Sequence, residues 1–156
     1  MRIKGMPKIT TSKRAERARE EGKAPSTQAG EFVREEIENI RAGKHGARSA
    51  RQVIAIGLSK ARRAGVKLPP PKQGSVSEDT HRKAIRDSAK GRSGNRQPVS
   101  RKRSRATINA LKKEGSVAAS QEALSRQAHQ AAKRRSAPER SAAARKAART
   151  RARRRH

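Results

Sequence analysis

"GKHGARSARQVIAIGLSKARRAG", residues 43–65, holds the most apolar run of a chain that is otherwise mostly charge. Val53, Ile54, Ile56 and Leu58 fall within six residues, with Lys44, Arg48 and Arg51 before them and Lys60, Arg62 and Arg63 after. Ser49 suits a helix N-cap, since its hydroxyl can accept from an amide of the first turn, and Gly65 suits the stop. A helix over residues 50–64 is therefore predicted. Ala50, Val53, Ile54, Gly57, Leu58 and Ala61 share one face of it at the helical period, and Arg51, Ser59, Arg62 and Arg63 lie opposite. Ile56 falls outside that stripe.

Upstream, Ala29, Phe32, Val33, Ile37 and Ile40 repeat the period on a second helix, capped by Ser26 or Thr27 and ended by Gly43. This helix is net acidic, with Glu31, Glu35, Glu36 and Glu38 against Arg34 and Arg41, whereas its successor carries only cations. The short loop "GKHGARS" between them predicts an antiparallel hairpin with its stripes facing inward. Gly57 and Ala61 would let the two backbones approach closely. Leu, Ile, Val and Phe number only 19 of 156 residues, and ten of these lie between Phe32 and Leu68, so any core is small and centred here. Such a composition predicts disorder elsewhere. The expected fold is mostly α with extensive disorder: a small helical hairpin plus helix-prone basic arms. One hairpin buries too little to stand alone, so a homodimer through the apolar stripes of residues 29–61 is also expected.

The remaining segments are organised by composition. Residues 1–25 form a basic polar segment in which "TTSKRAERAREEG" reads as a short helix with little to bury. The hairpin spans 26–68. Residues 69–99 are a Pro/Gly/Ser-rich linker with one short helix, capped by Ser75 with Glu78 and stopped at Gly91. Residues 100–156 are an Ala/Arg/Lys-rich basic arm. Its last two pieces match weakly at a period of about 20 residues, opening at Ser116 and Ser136. Alanine and arginine favour helix, and phosphates would relieve the self-repulsion of such pieces.

Charge points to the partner. Forty-two Lys and Arg stand against thirteen acids, a net +29. From Ala123 onward there are twelve cations and one acid, Glu139. Like charges at this density need a polyanion. Bases of single strands are usually held on aromatic platforms, and the chain has no Trp or Tyr and one Phe. DNA is therefore favoured over RNA, with structured RNA the alternative. The expected function is non-specific duplex DNA binding and compaction by a nucleoid-associated, histone-like protein; a structured-RNA or ribosome-associated role is the runner-up. The expected contacts are Lys44, Arg48, Arg51, Lys60, Arg62 and Arg63 on the hairpin. On the arm they are Lys133, Arg134, Arg135, Arg145, Lys146, Arg149, Arg151, Arg153, Arg154 and Arg155. The loop amides from Gly46 to Arg51 would add an anion-favouring helix N-terminus. A helix-turn-helix reader over residues 27–64 is a sharper alternative, but it lacks an evident third helix to support it.

Catalysis is not expected. "GKHGARS" places Lys44 after its first glycine, unlike a phosphate-binding loop. His45, His81, His129 and His156 are scattered without metal-ligand spacing, so neither metal nor cofactor is expected. There is no cysteine and no apolar run long enough for a membrane span. The N-terminus lacks the apolar stretch of a secretory signal, which predicts a cytoplasmic, nucleoid location.

The pieces "QAGEFVREEI" (28–37), "GKHGARS" (43–49), "IAIGLSKARRAG" (54–65) and the prolines 69–71 resemble a family of small, basic, uncharacterised bacterial proteins. The resemblance covers Ser26 to Pro71 and implies a bacterial origin, with no activity attached to it. The tail "SAPERSAAARKAARTRARRRH" separately resembles the basic arms of linker-histone-like bacterial proteins, which implies DNA condensation. Those arms favour Lys with Ala and Pro, whereas this one favours Arg.

Overall fold

The computed structural model describes residues 9–94 and 98–153. Among them are seven α-helices and no strand: α1 (Ile9–Glu20), α2 (Pro25–Arg41), α3 (Ala50–Arg63), α4 (Glu78–Ser93), α5 (Arg101–Lys112), α6 (Gln121–Lys133) and α7 (Ala137–Arg153). One 3₁₀ turn, Val117–Ala119, precedes α6. The chain divides into a compact unit running to Ser120 and a second from Gln121 onward. The helical class holds, but the expected extensive disorder does not. Helix runs through most of the former linker and arm, because Ala, Arg and Lys lose little side-chain freedom in helical form.

The hairpin is present. α2 and α3 pack along the predicted stripes, with Ala29, Phe32, Ile40, Val53 and Ala61 buried. Val33, Ile37, Ile54 and Leu58 are half-buried. A Cβ on Gly57 would stand 2.6 Å from the Val33 Cα, so this glycine sets how closely the two backbones approach. Ser49 caps α3 as expected, accepting from the Gln52 amide at 3.2 Å, while the Gln52 side chain accepts from the Arg48 amide at 2.7 Å. α2 starts at Pro25, ahead of both predicted caps, Ser26 and Thr27. Pro25 occupies its first turn and Ala24 precedes it with no side-chain cap, since proline's fixed φ suits a position whose N–H needs no partner.

Three elements close the hairpin within one chain. α1 lies on α2 and buries Thr11, Ala15 and Ala18, so a segment expected to have little to bury covers the core with small side chains. Ala15, Ala29, Phe32 and Ala61 form one apolar cluster, flanked by Leu58, Val66 and Leu68. Arg14 Nε donates to Glu31 Oε2 at 2.7 Å and ties α1 to α2. The 3₁₀ turn supplies Ala118 and Ala119 to a second cluster with Ile40, Ala47 and Val53, and Arg41 Nε donates to the Ala119 carbonyl at 2.9 Å. α4 lies on the outer face of α3. The stripes of residues 29–61, named above as a homodimer contact, are thus buried inside a single chain.

α4 differs in detail from expectation. Its cap is Ser77, which accepts from the Thr80 amide at 3.3 Å, and it runs through Gly91 to Gly94. Ser75 instead donates to the Lys72 carbonyl. In the second unit, Ser136 and Glu139 form a reciprocal capping box for α7. Ser116 leads into the 3₁₀ turn and not into a helix matching α7. Neither α6 nor α7 has a buried side chain among its described residues.

Candidate nucleic-acid interface

The hairpin cations separate into two groups. Arg48 is 82% exposed and 3.6 Å from Glu114 Oε1. Arg51 is exposed, and Lys44 is exposed while donating to Asn39 Oδ1 at 2.9 Å. These three can meet an external anion. Lys60 and Arg62 cannot do so without leaving their packing. Lys60 Nζ sits 2.5 Å from Glu36 Oε2, with Lys60 13% and Glu36 1% exposed. His45 Nε2 approaches the other Glu36 oxygen at 2.9 Å, and its Nδ1 lies 3.0 Å from the Gly46 carbonyl. A buried carboxylate needs such partners to offset its lost hydration.

Arg62 is only 8% exposed. Its Nη2 donates to the Pro69 carbonyl at 3.1 Å, while its buried Nε has no hydrogen-bond partner. Burial pushes its pKa down from the ordinary arginine value, opposed by the charge of Asp87. Arg63 is intermediate: its Nε stands 3.9 Å from Asp87 Oδ1, and Ser59 donates to the other Asp87 oxygen at 2.6 Å. The outer face of α3, read in sequence as a continuous cationic ridge, is therefore the seat of α4.

The loop amides are also engaged. Gly46 N–H donates to the Leu111 carbonyl at 2.9 Å and Ala47 N–H to the Gly115 carbonyl at 3.1 Å. A Cβ on Gly46 would lie 1.9 Å from the Glu114 carbonyl oxygen. "GKHGARS" thus receives the C-terminal end of α5, and two of the N–H groups assigned to an anion hold backbone carbonyls instead. α1 supplies the third helix that the helix-turn-helix reading lacked. However, α3 is flanked by α2, α4 and residues 117–119, which leaves little of it to enter a groove.

On the arm, Lys133, Arg134, Arg135, Arg145, Lys146, Arg149, Arg151 and Arg153 are described, and Arg154 and Arg155 lie outside the described residues. All the described ones except Lys133, Arg134 and Arg135 sit on α7. At 100° per residue, Arg145, Lys146, Arg149 and Arg153 share one face about 12 Å long, and Ala143, Ala144, Ala147 and Ala148 lie away from it. Arg151 projects from the opposite side.

A further group was not among the sequence-derived contacts. On α5, Lys102, Arg105, Asn109, Lys112 and Lys113 occupy one face of about 100° and are all exposed, whereas Ser104, Ile108 and Leu111 are half-buried on another. The spacing is present in the sequence, but the denser charge from Ala123 onward is the stronger signal. Among the described residues, no cluster of His, Asp and Glu could hold a metal ion, and no helix is long and apolar enough to cross a membrane.

Residues 16–73 match a family of unknown function (DUF6496). The match covers the end of α1 from Glu16, all of α2 and α3 and the proline segment, in agreement with the resemblance to an uncharacterised family. No curated protein and no solved structure matches the chain.

Proposed function

We propose that this protein binds duplex DNA without sequence specificity and compacts it, as a histone-like component of a bacterial nucleoid in the cytoplasm. The observation that carries the reading is the α7 face. Four cations, Arg145, Lys146, Arg149 and Arg153, line one side of a helix that buries no side chain of its own. One strand of a duplex presents about one phosphate per 3.4 Å of axis, so a 12 Å stripe faces three or four phosphates. Neutralising them releases counterions, a favourable term independent of base sequence.

The lone aromatic residue supports duplex over single strand. Phe32 is 1% exposed and belongs to the core, so no aromatic ring is offered to an unstacked base. No catalytic step belongs to this reading. The test is competition at fixed ionic strength among an unlabelled duplex, a structured RNA and a single strand for the protein bound to a labelled duplex. Preferential displacement by duplex is expected. Displacement by structured RNA at lower concentration would transfer the protein to the ribosome-associated class.

A further inference from the structure

We infer that the compact unit carries a second duplex-binding face, on α5, so that one chain can hold two duplexes at once. The inference rests on the reading above and adds a site to it. Six cations and no acid occur in Arg101–Lys113, and such a helix is left with unrelieved repulsion between neighbours three and four residues apart. Four of the six, Lys102, Arg105, Lys112 and Lys113, fall on the face of about 100° described above, with Asn109 among them as a neutral hydrogen-bonding group, while Arg101 and Arg103 are exposed beside it.

That face is about 15 Å long from Lys102 to Lys112 at the helical rise. A phosphate strand of that length carries about four charges, so cations and phosphates match in number and reach. Phosphate is the complementary occupant: the face offers charge and one amide, and no apolar side chain that would suit a protein or lipid partner.

The C-terminal end of the face is held in place, which distinguishes it from a freely solvated charge run. The carbonyl of Leu111 accepts from Gly46 and that of Gly115 from Ala47, fixing the C-terminal end of α5 to the hairpin loop. The same docking brings Arg48, 82% exposed, to 3.6 Å from Glu114 Oε1. Lys112 and Lys113 stand at a helix C-terminus, where positive charge is also favoured by the helix dipole. The α7 stripe belongs to the other unit of the chain. Two backbone-binding faces on one chain are what bridging requires.

The experiment uses the full chain and two variants. One carries Lys102→Ala, Arg105→Ala, Lys112→Ala and Lys113→Ala; the other carries Arg145→Ala, Lys146→Ala, Arg149→Ala and Arg153→Ala. Seven of the eight side chains lie on α5 or α7 and Lys113 is the C-cap of α5; alanine is the better helix former, so helical content by circular dichroism should be preserved. Affinity for one duplex is measured across a salt series, and bridging as capture of a second labelled duplex by protein on an immobilised one. The α5 variant should still bind one duplex through α7, with a log–log salt slope that stays near about −3.6, and should lose capture by at least about tenfold, as should the α7 variant. A variant of Lys102→Arg, Lys112→Arg and Lys113→Arg should capture normally. Undiminished capture by the α5 alanine variant overturns the second face and leaves duplex binding standing. Failure of the unaltered chain to bind duplex at all overturns the underlying reading as well.

Discussion

Gly46→Ala probes the joint on which the α5 face depends. The added methyl would lie 1.9 Å from the Glu114 carbonyl oxygen, 2.4 Å from its carbon and 2.6 Å from the Gly115 carbonyl oxygen. All three are backbone atoms, so no side chain can rotate away and the docked segment must move. Three contacts depend on its position: the Gly46–Leu111 and Ala47–Gly115 hydrogen bonds and that from Arg41 to the Ala119 carbonyl. Each contributes about 1 kcal/mol net. Ala118 and Ala119, 7% and 0% exposed, add roughly 0.8 kcal/mol per methyl. Complete undocking therefore costs up to about 4 kcal/mol, against less than about 1 kcal/mol gained from a stiffer unfolded chain. α1 to α4 do not touch this joint except through the loop and the second apolar cluster, so the loss should be local. Amide exchange by NMR is the assay. Ala47 should exchange by up to about three orders of magnitude faster, at 1.4 kcal/mol per factor of ten, while Phe32 and Ala61 keep most of their protection. Ala47 protection within about threefold of the parent, where the segment should have yielded about 4 kcal/mol, would refute the reasoning.

Other substitutions separate packing from binding. Lys60→Met leaves the buried Glu36 carboxylate with His45 as its remaining partner; unfolding in urea should show a loss of about 2–3 kcal/mol, and a loss under about 0.5 kcal/mol would contradict the burial argument. Arg62→Met removes a guanidinium whose Nε lacks a partner, so stability should stay within about 1 kcal/mol of the parent and duplex affinity should not change. A clear affinity loss would return Arg62 to the interface. Asp79→Asn addresses pH. The hydrogen bond from Lys83, at 2.6 Å, holds the Asp79 carboxyl below its ordinary value. Its contribution to α4 is therefore complete above the unfolded aspartate value of about 3.9 and is lost as pH falls through the lower folded value. Helical content followed from pH 7 to pH 2 (about the range spanning both values) should fall less at the acid end in the variant than in the parent, and superimposable curves would exclude the pair.

The sequence was most legible where apolar side chains recur at the helical period. α2, α3, the Ser49 cap and the close approach at Gly57 all follow from that pattern, and the opposite charge of the two helices anticipates the Glu36–Lys60 pair. The elements that close the core left little trace in hydrophobicity. α1 contributes Thr11, Ala15 and Ala18, and α4 meets α3 through Ala84, Asp87 and Gly91, whose missing Cβ would stand 2.0 Å from the Arg62 carbonyl oxygen. Small and polar contacts carry no periodic apolar signal. The docking of residues 111–119 onto the loop joins segments far apart in sequence through backbone carbonyls, which residue type does not specify. Arg62 was read as a surface cation because helical phase alone cannot reveal that a later helix covers its face, and Lys60 because phase does not show its side chain turning in to Glu36 of α2.

The most direct test of the central claim is the salt dependence of duplex binding by the unaltered chain, measured on two duplexes of unrelated sequence. Backbone neutralisation by the α7 stripe predicts a log–log slope of about −3.6 or steeper, equal for both sequences. A slope near zero, or one duplex bound far more tightly than the other at every salt concentration, would contradict it.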